Sequence, residues 1–530
     1  MLIKVFGGAV NGIEAIPITI EVNILCGAKF IIVGLPDNAI RESQQRIDSA
    51  LREIGSRIPG KRVIINMAPA DVKKEGSAYD LPLAIGILAA NEQIPSSELK
   101  EFIIMGELSL DGKLVPVKGV LPIAINARSE GFKKLIVPIE NADEAAVVED
   151  ISVYGFSHLR EVVGFLKKEQ HISPIRFDPL QTTEKEEFTF YDFKDVKGQE
   201  NVKRALEIAA AGSHNLLMVG SPGAGKTMLA RRLPGILPPM TIEESLETTK
   251  IHSVAGKLGR HNGLITSRPF RAPHHTISDI ALIGGGVFPH PGEISLASNG
   301  ILFLDELPEF KRSVLEVMRQ PLEDRKITIS RAKCCVDYPA NFMLIASMNP
   351  CPCGYYNHPT KECSCTGSMI QRYLSKISGP LLDRIDMHIE VVPVELDKIT
   401  GNQEAENSHT IRERVIKARN IQTERFKPWK NIHCNAQMNS TLLKEFCPLD
   451  EKCTALLKIA MQRFGLSARA YDRIIKLSRT IAGPGRERKY NAPAHRRSHS
   501  IPLSRQRIVG KLNGLRLKRK EEKGKKIIIN

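Results

Sequence analysis

Eight consecutive residues, Gly220-Ser221-Pro222-Gly223-Ala224-Gly225-Lys226-Thr227, have the types and spacing to hold a polyphosphate. Their glycines let successive backbone N–H groups curl around phosphate oxygens, and Lys226 can reach the β- and γ-phosphates. The Thr227 hydroxyl is a hard oxygen donor suited to Mg²⁺. Further on, the apolar run GILFL ends in Asp305 and Glu306. Asp305 is placed to hold Mg²⁺ through water, and Glu306 to activate an attacking water. An isolated acidic pair at a strand end is more often a solvated cap; the phosphate loop upstream favours chemistry here. Asn349 closes another apolar run, NFMLIASMN, where a polar side chain can orient that water. Arg384, in GPLLDRIDMHIEV, can stabilise transition-state charge on a neighbouring subunit's nucleotide, and Arg469, in GLSARAYDRI, can sense the phosphates. Alone, each arginine would more often be a surface ion-pair residue. Their order along the chain points instead to hydrolysis of a magnesium-bound nucleoside triphosphate.

A second constellation lies just beyond Asn349. Cys351 and Cys353, then Cys363 and Cys365, crowd four thiols into a segment rich in turn residues. Such a set suits a structural, tetrahedral Zn²⁺ site with no open position. Free thiols or a redox pair are the alternatives, and C-x-C spacing is less usual than C-x₂-C. The remaining six cysteines, Cys26, Cys334, Cys335, Cys434, Cys447 and Cys453, lack ligand spacing and are expected to be packing residues.

These groups need strands and helices to aim them. NLLMVG, GILFLDE and NFMLIASMN read as buried strands, and TMLARRL opens a helix directly after the phosphate loop, which is the context that loop requires. An α/β nucleotide-binding core is therefore expected over 191–396, followed by a mostly helical lid over 397–482. Residues 1–166 alternate strands (ITIEVNI, FIIVGLP, RVIINMAP, EFIIMGEL, KLIVP) with helices (RESQQRIDSALREIG, DLPLAIGILAANEQ, VLPIAINARSEGF, NADEAAVVED), which predicts a separate α/β domain. The polar stretch 167–190 reads as a linker.

The chain has 530 residues, enough for several cores, so neither metal nor disulfide is needed merely to fold. Its net charge of +16 invites a nucleic-acid reading, but residues 483–530 hold 15 basic side chains against 3 glutamates, leaving only +4 on the preceding 482 residues. That tail lacks helical periodicity and is expected to be a disordered basic extension or the product of a reading-frame change. The apolar run Leu81–Ala90 is about half the roughly 20 residues a membrane-spanning helix needs, and the first residues do not read as a secretory signal. A cytoplasmic protein with no membrane partner is expected.

The order of phosphate loop, acidic strand end, Asn-ended strand, LLDR and SAR resembles AAA+ ATPases. The segments VKGQENVKRALEIAAAGSHNLLMVGSPGAGKTMLARRLPGILPPM, RPFRAPHHTIS, GGGVFPHPGEISLASNGILFLDELPEF and SMNPCPCG resemble, more narrowly, the ComM/YifB family of the magnesium-chelatase-like branch. That resemblance implies ATP and Mg²⁺ as ligands, a homo-oligomeric ring, hexameric by analogy, with Arg384 acting in trans, and DNA branch migration in recombination or natural transformation. A chelatase-type motor that remodels a protein partner without gripping DNA is the other possibility. The resemblance places a β-hairpin at 326–337 and an insert at 268–278 towards the ring pore. This makes Arg268, Arg271, Arg331 and Lys333 candidate contacts to a DNA backbone, with solvated loop charges as the alternative. Residues 1–166 resemble the Lon protease C-terminal domain (S5 domain 2-like) through GELSLDGKLVPVKG and KKEGSAYDLPLAIGIL. The nucleophile position of that domain falls on Ala78 and the lysine position on Leu121, while Ser77 and Lys118 lie out of register. The resemblance therefore implies a non-proteolytic domain.

Overall fold

The computed structural model describes residues 2–74, 76–177, 191–258, 263–286, 289–331, 334–394, 405–429 and 432–482. Most of the expected linker, the tail 483–530 and Lys333 lie outside them.

Alternating burial builds the first sheet. In β2 (Glu14–Leu25) Ile18, Ile20 and Val22 are fully buried while the residues between them are not, the period-2 pattern of a half-covered strand. It pairs antiparallel with β1 (Leu2–Asn11) through a turn at Gly12, which adopts a positive φ of 67°. With β3 (Phe30–Val33), β4 (Arg62–Ala68), β5 (Phe102–Ile104), β6 (Lys134–Pro138) and β7 (Ser152–Phe156), the sheet runs β3-β4-β2-β1-β5-β6-β7. One face is covered by α1 (Asn38–Glu53), α2 (Asp80–Ala90) and α5 (Leu159–Leu166), and the other by α3 (Val120–Ser129) and α4 (Ile139–Ala146). Helix α2 is buried on all sides, which accounts for its unbroken apolar run. Strands β1 and β7 and helix α5 join the elements read from sequence.

The second sheet is parallel throughout. Its order is β9-β10-β13-β8-β14, from β8 (Leu216–Gly220), β9 (Phe270–Arg271), β10 (Ile301–Leu304), β13 (Met343–Met348) and β14 (Met387–Val391). Every residue of β8, β10 and β13 is buried, as expected for strands covered on both faces. Helix α6 (Glu200–Gly212) and α10 (Ser408–Phe426) contribute to the core on one face. The register sets Val219 beside Met348 and Leu304 beside Ala346, so the chain leaves β8, β10 and β13 at one shared edge. Ligands of open α/β sheets gather at such carboxyl ends.

Helices α11 (Ser440–Phe446), α12 (Glu451–Phe464) and α13 (Ala468–Ala482) close a smaller core around Phe426, Leu442, Leu457 and Ile474. Asp386 ties this helical part to the sheet. It accepts from Asn215 N at 3.0 Å and lies 3.3 Å from Arg473 Nε and 3.5 Å from His214 Nδ1. The two α/β parts also touch. Gly119 N donates to Ser253 O at 3.2 Å, at the end of α8 (Ile242–Val254). The Ser253 hydroxyl donates to the buried Glu144, which also accepts from Leu121 N at 2.8 Å. No helix among the described residues is long and apolar enough to cross a membrane.

Candidate nucleotide-binding site

The phosphate loop leaves β8 at Gly220, where any side chain would strike the carbonyl of Val391 on β14. Gly223 and Gly225 take positive φ of 77° and 86°, conformations that glycine adopts without a Cβ penalty. Helix α7 (Lys226–Arg232) follows directly. Lys226 is only 9% exposed, and its ammonium donates to Gly220 O at 2.8 Å, Ser221 O at 3.0 Å and Asn349 Oδ1 at 3.1 Å. Burial pushes its pKa below the usual lysine value, against the opposing pull of Asp305 and Glu306. A cation held by three exchangeable acceptors is poised to take phosphate oxygens instead.

On the adjoining strand, the Thr227 hydroxyl donates to Asp305 Oδ2 at 2.6 Å, and the Ser347 hydroxyl donates to Asp305 Oδ1. Adjacent hydroxyl and carboxylate oxygens are the hard donor set that Mg²⁺ prefers, so these residues fit that ion. Glu306 has φ 53°, an unusual backbone state for a non-glycine residue and one found at functional sites. It lies 3.8 Å from His275 Nδ1, and the His275 ring stands edge-on to Phe310. His275 and Ser347 were missed from sequence. A polar Ser347 one strand over from Asp305 needs the β10–β13 register to become visible, and His275 needs the path of the loop after β9.

Arg384 and Arg469 meet on a single carboxylate, Glu323 in α9 (Arg319–Asp324), at 2.7 and 3.1 Å. Arg384 also donates to Pro380 O at 2.8 Å and is 9% exposed. The structure thus brings the two arginines to each other rather than to Lys226. Glu323 carries no sequence signal of its own.

The candidate DNA contacts separate. Arg268 donates to Pro238 O, Pro239 O and Asn299 O and pairs with Glu244 at 2.7 Å, with its side chain 11% exposed. Gripping a phosphate would break these bonds, so Arg268 serves here as an internal strut. Arg271 forms a two-pronged pair with Glu293 at 2.6 and 2.8 Å, and with Phe270 it builds the edge strand β9 instead of a free insert. The hairpin does form, from β11 (Lys326–Arg331) and β12 (Cys334–Pro339), with Arg331 paired to Cys334 at its end. Gly12 of the first domain's turn abuts Val336 of this hairpin.

The four cysteine sulfurs of the loop after Asn349 lie within 4.8 Å of one another. Burial pushes the Cys351 thiol up to about 12, whereas the backbone N–H of Tyr355 and the neighbouring cysteine groups bring Cys353 down to about 5. Among the other cysteines, Cys434, Cys447 and Cys453 are buried as expected, but Cys26 and Cys335 are exposed, which corrects their reading as packing residues. In the first domain the Ser77 hydroxyl donates to Glu107, Leu121 is fully buried, and Lys118 lies against Gly256 of the second domain. No serine–lysine pair is assembled there among the described residues.

The family described as magnesium chelatase, subunit ChlI, matches residues 192–399; its C-terminal part matches 405–489, and a further ChlI description matches 20–141. The chain is 46% identical over 491 residues to competence protein ComM of Haemophilus influenzae, covering 90% of this chain and 93% of that protein. It is 42% identical to the uncharacterized protein YifB of Escherichia coli, covering 89% and 92%. A Lon protease of Bacillus thuringiensis is 27% identical over 159 residues, 28% of this chain and 20% of that protein.

Proposed function

The chain belongs to the ComM/YifB family of magnesium-chelatase-like AAA+ ATPases, and from that premise we propose that it is a Mg²⁺-dependent ring motor that hydrolyses ATP to move on DNA. The observation that carries the reading is the convergence of Lys226, Thr227, Asp305, Glu306 and Asn349 at one sheet edge. ATP is the substrate, attacked in line by water at the γ-phosphate. Lys226 exchanges its loop carbonyls for phosphate oxygens. Thr227 and Asp305 would hold Mg²⁺, which when bound neutralises phosphate charge. Glu306 accepts the water's proton, with His275 steadying its carboxylate, and Asn349 orients the water. Arg384 serves a neighbouring copy in a homo-oligomer, taken as a hexamer, and Arg469 reports on the phosphates from the lid; both must leave Glu323 to do so.

The domain division of the proposal is a non-proteolytic Lon-like domain over 1–166, a linker over 167–190, an ATPase core over 191–396, a lid over 397–482 and the basic tail beyond. The family relationship to competence protein ComM supports a role in recombination or natural transformation. The internal pairing of Arg268 and Arg271 favours a second reading, a motor that remodels a protein partner; DNA would then have only Arg331 and Lys333 among the four candidates. Purified protein assayed for phosphate release with forked or four-way DNA, beside Glu306→Gln, decides between them. Stimulation by DNA that survives ending the chain at residue 482 supports the first reading. Turnover indifferent to DNA supports the second, and no Glu306-dependent turnover refutes both.

A further inference from the structure

The cysteine loop carries a chemistry that ATP turnover does not use. Three of its sulfur separations are 3.3 Å (Cys351–Cys353), 3.7 Å (Cys351–Cys363) and 3.5 Å (Cys353–Cys363). A tetrahedral zinc tetrathiolate with Zn–S near 2.3 Å has sulfur–sulfur edges of about 3.8 Å. The four side chains are thus already gathered at close to ligand spacing. Backbone N–H groups are turned onto the sulfurs: Cys353 N points at Cys365 Sγ at 3.4 Å, and Tyr355 N and Tyr356 N point at Cys353 and Cys351. Such donors are what a cluster of thiolates needs around it.

The position of this cluster matters more than its existence. Cys351 is fully buried two residues after Asn349, whose side chain holds Lys226. Gly354, with φ 83°, lies so close to the phosphate loop that a Cβ there would stand 2.6 Å from Pro222 Cγ. The same short loop therefore supports the phosphate cradle from Pro222 and the water-orienting position from Asn349.

We propose that Cys351, Cys353, Cys363 and Cys365 bind one Zn²⁺ in a closed tetrathiolate site, and that this ion braces the phosphate loop so that metal occupancy sets nucleotide affinity. The second half rests on the ATPase reading. With the ion in place, four bonds fix a loop otherwise held by turns, by the His358 ring accepting from Thr360 N and Lys361 N, and by ring contacts of Tyr355, and the backbone against Pro222 cannot retreat. Without the ion, Gly354 moves off Pro222, and the loop must be ordered at the expense of nucleotide binding.

The test uses the full chain, with Glu306→Gln to suppress hydrolysis. Metal analysis after purification without added metal should give one zinc per chain, and Co²⁺ exchanged into the site should show tetrahedral thiolate absorption. A fluorescent ATP analogue should bind about tenfold more weakly after the metal is stripped, and recover on adding Zn²⁺; tenfold corresponds to about 1.4 kcal/mol. Gly354→Ala keeps all four thiolates and should retain zinc while binding the analogue more weakly, which separates the brace from any folding defect of cysteine variants. Iron, or no stoichiometric metal, overturns the site. Zinc present with equal affinity in stripped and loaded protein overturns the brace. Zinc present with no nucleotide bound in either form overturns the brace together with the ATPase reading, while leaving the metal site standing.

Discussion

Replacing Asn349 by alanine should separate binding from turnover. All three N–H groups of the Lys226 ammonium are used, by Gly220 O, Ser221 O and Asn349 Oδ1. Asn349→Ala leaves one of them without a partner at a residue only 9% exposed. A hydrogen bond to a charged group is worth about 1.5–3 kcal/mol, and this one is the longest of the three, so the lower end applies, about 1.5 kcal/mol. That loss falls on the protein's own bond between Lys226 and Asn349. A triphosphate brings fresh acceptors to Lys226, so the loss is relieved on binding. Nucleotide affinity should therefore stay level or tighten by up to about tenfold. Hydrolysis should drop about 100-fold if the proposed water-orienting group is gone. Titration with a fluorescent ATP analogue, followed by single-turnover phosphate release, measures both. Affinity weakened tenfold with turnover intact would make Asn349 a ground-state ligand and refute the exchange of acceptors at Lys226.

His275→Ala removes the neighbour of Glu306 without removing a hydrogen bond of the phosphate loop; turnover should fall about tenfold with nucleotide affinity unchanged, and a change confined to affinity would be the contrary result. Asp386 is subject to a burial penalty, yet His214, Arg473 and Asn215 N hold it down at about 2, from an ordinary 3.8. A depressed carboxylate adds stability that is fully present above the unfolded value and is lost as pH falls from about 4 to about 2. The amount is about 2 kcal/mol, and Asp386→Asn should flatten that part of an acid-denaturation curve. Ser253→Ala removes a donor from Glu144, whose pKa burial already raises. Its cost should be about 1–2 kcal/mol and should grow from acidic to neutral pH, where the carboxylate ionises; equal denaturation midpoints at both pH values would contradict a working contact between the two α/β parts.

Local chemistry made much of this protein readable in one dimension. Phosphate-loop glycines, an acidic strand end and fully apolar strands act through spacing along a single chain, so β8, β10, β13 and the groups that follow them were legible. The strands β1 and β7 were not, because β1 mixes Lys4, Gly7 and Gly8 with its apolar residues and β7 is short and half-covered. Helix α2 was legible as a helix, but that it is enclosed on every side depends on which sheet face it meets.

Residue type and spacing determined that a glycine-rich loop, an acidic strand end and a thiol cluster exist. Tertiary structure alone decided which of the remaining charges are available to a ligand. Arg268 and Arg271 look like free cations in sequence, yet Glu244 and Glu293, distant along the chain, occupy them. Arg384 and Arg469 share Glu323, and the cysteine loop lies against Pro222. The physical reason is that an ion pair or a close contact depends on distance in space, and only the packed sheet and helices set the distance between residues that the chain keeps far apart.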